Sequence, residues 1–100
     1  MKINRWTAEI TPNAKIIEKL FTSEGLDFKS VGVKSGAKIF NQRTPMTEVI
    51  QVIEGELVFN LSGNQFSLRS GDRLEMAANT TYSYSNIKDI DGLFVTAYKL

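Results

Sequence analysis

Residues 36–55 read GAKIFNQRTPMTEVIQVIEG, and residues 71–86 read GDRLEMAANTTYSYSN. Both stretches are short apolar runs cut by turn residues, and the segments between and after them follow the same pattern. Glu48–Ile53 and Glu56–Leu61 form a predicted hairpin about Glu54-Gly55, and Gly63-Asn64 turns the chain into Gln65–Arg69. Ser70-Gly71-Asp72 is another turn, and Arg73–Met76, Thr80–Asn86 and Leu93–Lys99 are predicted strands. Short strands separated by frequent turn signals predict a sandwich or a barrel. The EVIQVI segment is apolar on both faces, with Glu48, Ile50 and Val52 on one and Val49, Gln51 and Ile53 on the other. One face should line an interior, and the other should be covered by a helix or by a second subunit. Leu57, Phe59 and Leu61 alternate with Glu56, Val58 and Asn60, so they also point inward.

Upstream, Phe28–Val33 and Ala37–Asn41 are predicted strands around Ser35-Gly36, and Gln42-Arg43-Thr44-Pro45 is a break because proline cannot donate to a ladder. Lys2–Glu9 is a weak edge strand. Thr11 and Pro12 predict an N-cap and first helical position for a helix running to about Glu24. Ile16, Ile17, Leu20 and Phe21 give that helix one apolar stripe. Gly25 stops it, and Leu26 folds back on its last turn. The polar segment Ile87–Gly92 is expected to be a mobile loop.

Composition narrows the function classes. The chain has 100 residues, 42% apolar, with twelve basic and eleven acidic side chains for a net charge of +1. Neither sign clusters, unlike the one-sided basic surface of a nucleic-acid binder. The absence of cysteine excludes disulfides and thiolate chemistry. The absence of histidine removes the commonest metal ligand and the commonest general base together. No apolar signal core or membrane-length run is present. A cytoplasmic protein with neither nucleic-acid nor membrane partners is expected.

At this point the residues resemble a known family. The small single-domain cupins carry a first motif G-x5-H-x-H-x3–4-E-x6-G, and Gly36, Gln42, Thr44, Glu48 and Gly55 match its spacing without a gap. Their second motif is G-x5-P-x-G-x2-H-x3-N, whose five named positions are Gly71, Ala77, Asn79, Tyr82 and Asn86. The resemblance implies an all-β, cupin-type double-stranded β-helix (a jelly-roll barrel) with one short N-terminal helix. It also implies a single domain over residues 1–100, with strand and helix in 1–26 and barrel in 27–100. In metal-binding cupins, three histidines and the glutamate hold the metal. Here those positions are Gln42, Thr44, Glu48 and Tyr82, so only the carboxylate survives. One carboxylate, one amide oxygen and two hydroxyls make a poor transition-metal site, so no metal and no cofactor are expected.

By family position Glu48 points into the barrel, where Tyr82 and Gln42 are its nearest predicted donors. Glu48 and Tyr82 are the only candidate catalytic residues; ligand contact is favoured over catalysis, and a structural polar remnant of a lost metal site is the third reading of Glu48. The candidate ligand-binding residues are Gln42, Thr44, Glu48, Ile50, Phe59, Tyr82 and Tyr84. Tyr82 and Tyr84 share a strand face at the mouth of the barrel. Arg43 should face solvent, the alternative being that the Pro45 break turns it to the rim and towards an anionic ligand. Trp6 should pack against the edge strand, the alternatives being a pocket lid or an interface anchor. Three functions follow: a metal-free module binding a small organic ligand, a metal-independent isomerase or epimerase using Glu48 and Tyr82, or a filled barrel with a structural or interaction role. Small size and the two-faced EVIQVI strand lead to an expected homodimer, paired isologously.

Overall fold

The computed structural model describes residues 1–100, with nine strands and one helix. In chain order these are β1 (Lys2–Asn4), α1 (Ala14–Ser23), β2 (Phe28–Val33), β3 (Lys38–Arg43), β4 (Thr47–Glu54), β5 (Glu56–Leu61), β6 (Asn64–Arg69), β7 (Arg73–Met76), β8 (Thr81–Ser85) and β9 (Gly92–Lys99). A five-stranded sheet of order β1-β7-β4-β9-β2 faces a four-stranded sheet of order β3-β8-β5-β6, and every pairing is antiparallel. This is the double-stranded β-helix that the resemblance implies. No helix is long and apolar enough to cross a membrane.

The two faces of β4 separate the core into two bodies, as the EVIQVI pattern requires. Ile50 and Val52 join Leu57, Phe59, Leu61, Leu68, Leu74, Met76 and Phe94 between the sheets. Val49 and Ile53 join Val95 and Ala97 on the outer face, where Ile17 and Phe21 of α1 cover them. The second face of β4 is thus closed by the helix, and a partner subunit is not needed to cover it. Burying Ile17 and Phe21 contributes on the order of 1.5–3 kcal/mol each, which a ten-residue helix needs in order to persist.

The helix starts later than Thr11 and Pro12 suggest. Its N-cap is Asn13, whose side-chain oxygen accepts from the Ile16 amide at 2.9 Å. Asparagine caps at least as well as threonine, and an N-cap here leaves Pro12 outside the helix. The buried stripe narrows to Ile17 and Phe21, because Leu20 is 37% exposed. The C-terminus follows expectation. Gly25 adopts φ +73°, its amide donates to the Thr22 carbonyl, and the Leu26 amide reaches back to the Phe21 carbonyl.

Arg73 fastens the helix to the sheet. Its guanidinium meets both Glu24 carboxylate oxygens at 2.8 Å, donates to Gln51 at 2.9 Å and lies 4.8 Å from the Phe21 ring centroid. Gln51 in turn donates to the Gly71 carbonyl, which explains a buried amide on the apolar outer face.

The N-terminal segment is a strap more than a strand. β1 ends at Asn4, and Trp6 then lies against Gly71 while its amide donates to Asp72. Asp72 also accepts from the Arg69 amide and from Arg5. Burial pushes the Asp72 carboxyl up, but these hydrogen bonds outweigh it and hold it below its ordinary value. The hydrogen-bonded Arg73 guanidinium holds Glu24 low as well. Both groups are more acidic folded than unfolded, so the unfolded state binds more protons as they titrate. Their contribution is fully present above about pH 4.5 and is lost as pH falls through the lowered folded values. Thermal melting temperature is therefore expected to drop steeply below about pH 4, and the drop should flatten in Asp72→Asn/Glu24→Gln. An unchanged acid limb in that variant would locate the acid sensitivity elsewhere.

The 87–92 loop is more firmly held than its polarity suggests. The buried Asn86 amide donates to the Val33 and Ile90 carbonyls, and the Ser35 hydroxyl donates to the Lys88 carbonyl. Asn86, the last position of the second motif, is thus a structural tie between β2 and this loop.

Candidate functional site

The barrel is filled at one end and open at the other. At the open end a cavity of about 240 Å³ is bounded by Lys29 and Val31 of β2, Gln42 and Arg43 of β3, Glu48 of β4, Tyr82 and Tyr84 of β8, and Phe94, Thr96 and Tyr98 of β9. Strand register explains this set. Glu48 pairs with Tyr98, Thr96 with Lys29, Phe94 with Val31, and Gln42 with Tyr82, and paired residues share a face.

β3 reaches this arrangement through a bulge. Asn41 adopts φ +55°, and the register with β8 shifts between Ile39 and Gln42. Strict alternation from Ile39, which faces Tyr84, would send Gln42 outward. The extra residue turns Gln42 into the barrel and leaves Phe40 64% exposed. The break expected at Gln42-Arg43 is therefore a bulge inside a longer strand. Arg43 sits at the cavity rim, where Nη2 lies 3.4 Å from the Asn79 side-chain oxygen.

Glu48 is the chemical centre of the cavity. It is 5% exposed, and the Thr96 hydroxyl donates to its Oε2 at 2.5 Å. None of the six ion pairs in the molecule includes it. Burial, followed by the neighbouring Glu48 charge, pushes the Tyr82 phenol far above its ordinary value. Burial and Glu48 act in the same direction on Tyr84. Both hydroxyls therefore stay protonated, able to donate hydrogen bonds but ill-suited to take a proton.

Of the residues chosen from sequence, Gln42, Glu48, Tyr82 and Tyr84 meet around the cavity. Thr44 does not join them. β3 ends at Arg43, and the fully buried Thr44 closes the turn into β4, donating its hydroxyl to the Met46 carbonyl and its amide to the Thr80 carbonyl. Ile50 and Phe59 lie deeper in the packed core and do not line the cavity. Sequence reasoning missed Thr96, Tyr98, Phe94, Lys29 and Val31. The period-two pattern of the last strand, Phe94-x-Thr96-x-Tyr98, was available to find three of them.

The donors here do not fit a transition metal. With Thr44 engaged in its turn, the residues at the four family ligand positions leave one amide, one carboxylate and one phenol held protonated. No group of three or more histidine, cysteine, aspartate or glutamate side chains comes together in the chain. A gain of function tests this geometry. Gln42→His/Tyr82→His is expected to form a two-histidine, one-carboxylate set with Glu48 and to bind nickel measurably by calorimetry, where the parent protein does not. A correctly folded double variant without nickel binding would show that these three side chains do not converge.

A crevice beside Arg5 and Asp72 is larger, about 540 Å³. Its buried carboxylate is already saturated by Arg5 and two backbone amides. The Glu48 cavity alone combines a buried carboxylate lacking a cationic partner with room for a molecule.

Comparison with solved structures places the fold among the cupins. The cupin domain of an XRE family transcriptional regulator from Enterobacter cloacae superposes with a TM-score of 0.61 at 23% identity, over 77% of this chain and 87% of that one. The cupin domain of Drosophila melanogaster CENP-C gives 0.65 at 20% identity, over 72% of this chain and 59% of that one. A structure of DMSP lyases gives 0.69 at 16% identity, over 75% of this chain. The chain spans only 38% of that lyase and about 60% of the CENP-C chains. No protein-family model matches the sequence, and no curated protein matches it. At these identities the likeness establishes the fold alone: the chain has the cupin double-stranded β-helix.

Proposed function

We propose that this protein is a cupin-fold binding module that holds a small polar organic molecule at the open end of its barrel without a metal. The observation that carries this reading is Glu48, a buried carboxylate that faces a cavity and lacks a cationic protein partner. Buried charge is costly unless it is paired, so such a group favours a ligand that completes its interactions. The cavity lies below the roughly 300–1,000 Å³ of drug-sized sites, which restricts the occupant to a small molecule. An acid–base enzyme using Glu48 and Tyr82 has less support, because the raised Tyr82 phenol is a poor base. The likeness to the cupin domain of a transcriptional regulator is in keeping with ligand sensing.

Native mass spectrometry of the protein as purified tests the reading. Wild-type protein is expected to retain an organic adduct that Glu48→Gln loses, with melting temperature in the variant unchanged or raised. Absence of any adduct, together with no thermal shift across a small-molecule library, would favour a structural or interaction role. The same spectrum reads subunit number, where the small size of the chain leads us to propose a homodimer.

A further inference from the structure

We infer that the cavity takes a small zwitterion, an ammonium carboxylate, with its cationic head inward against Glu48 and its carboxylate at the mouth between Lys29 and Arg43. The inference rests on the reading of this cavity as a ligand site and deepens it. The inner end lacks a positive charge. Glu48 receives the Thr96 hydroxyl but no ammonium or guanidinium, so a ligand cation would supply the missing partner.

The wall beside Glu48 suits an organic cation. The Tyr82 and Tyr84 rings stand 6.3 Å apart at 22°, both bordering the cavity. Aromatic faces attract alkylated ammonium groups, and neutral phenols add donors without competing as counter-charges. The mouth has the opposite character. Lys29 shares the inward face of β2 through its pairing with Thr96, and Arg43 stands on the rim. Neither takes part in an ion pair. A purely cationic ligand would meet these two charges on entry, and a purely anionic one would meet Glu48 at the end. A molecule with both charges, positive end inward, satisfies each.

Calorimetric titration of the purified protein with three probes tests this. Trimethylglycine carries both charges. tert-Butylacetate has the same shape with carbon in place of nitrogen, and choline replaces the carboxylate by a hydroxymethyl group. Trimethylglycine is expected to bind at least about tenfold more tightly than either analogue. Its advantage over tert-butylacetate should vanish in Glu48→Gln, and its advantage over choline should vanish in Lys29→Ala/Arg43→Ala. Equal binding of all three, or tighter binding of either analogue, overturns the zwitterion and leaves the cavity reading standing. Binding of none of them overturns the zwitterion too, while a retained adduct in the native spectrum would still uphold the cavity.

Discussion

Phe59→Ala is expected to lower the unfolding free energy by about 3–5 kcal/mol, the cost of emptying a large aromatic site in a packed core. Phe59 is fully buried, and its ring centroid lies 5.4 Å from Tyr84, 6.0 Å from Phe94 and 6.4 Å from Tyr82. The surrounding strands are paired on both sides, which limits collapse into the void. A domain of this size has roughly 5–15 kcal/mol in total, so the variant should sit near its folding threshold at body temperature. The ring also supports the floor beneath Tyr82 and Tyr84. Where the variant remains folded in the cold, ligand affinity should fall although Phe59 does not line the cavity. Urea unfolding with an unchanged slope measures the loss, and Phe59→Leu, which keeps most of the volume, should cost less than half as much. A loss under about 1 kcal/mol for the alanine would contradict a packed ring cluster.

Gly71→Ala has the second largest expected effect, and it acts through backbone and contact together. Gly71 adopts φ +93°, where an L side chain is strained by about 1–2 kcal/mol. An added Cβ would lie 2.5 Å from Trp6 Cγ and 2.6 Å from Trp6 Cβ, so the strap carrying Trp6 must move. Overpacking of this kind adds about 1–3 kcal/mol, for an expected total of about 2–5 kcal/mol. A double-mutant cycle separates the two sources. In a Trp6→Ala background the clash is gone, and Gly71→Ala should cost only the backbone part, about 1–2 kcal/mol. Equal costs in both backgrounds would mean that Trp6 does not seat on this glycine. Arg5 and the Trp6 amide hold Asp72, so displacing the strap should also bring the acid-induced transition to higher pH.

The glycine at position 71 was chosen from sequence as a turn residue of the second motif, and its closeness to Trp6 was not legible there. The two sites are 65 residues apart, and only the pairing of β1 with β7 brings them together. Asn86 was likewise a position in a motif until the fold showed its amide bridging β2 and the last loop.

The candidate site divides in the same way. Glu48, Tyr82 and Tyr84 were legible because strand alternation assigns faces within a run, and the family resemblance implies that the runs form a barrel. Gln42 does turn into the barrel, but that direction depends on the Asn41 bulge, a tertiary feature with no clear mark in the sequence. Thr44 was lost for a related reason, since the strand carrying it ends one residue earlier. Thr96, Tyr98 and Lys29 come from flanking strands outside the two motifs, and they reach the cavity only because β9 lies between β4 and β2.

By itself, the sequence determined the strand content, the two-faced character of β4, the stop of the helix at Gly25 and the poverty of metal ligands. These are local properties, set by residue chemistry and by the period of the side chains along a strand or helix. Tertiary structure alone decided that α1 covers the outer face of β4, that one end of the barrel is filled while the other holds a cavity, and that Glu48 has a hydroxyl neighbour but no cation. Those depend on register and packing between segments far apart in the chain, where a shift of one residue turns a side chain from core to solvent.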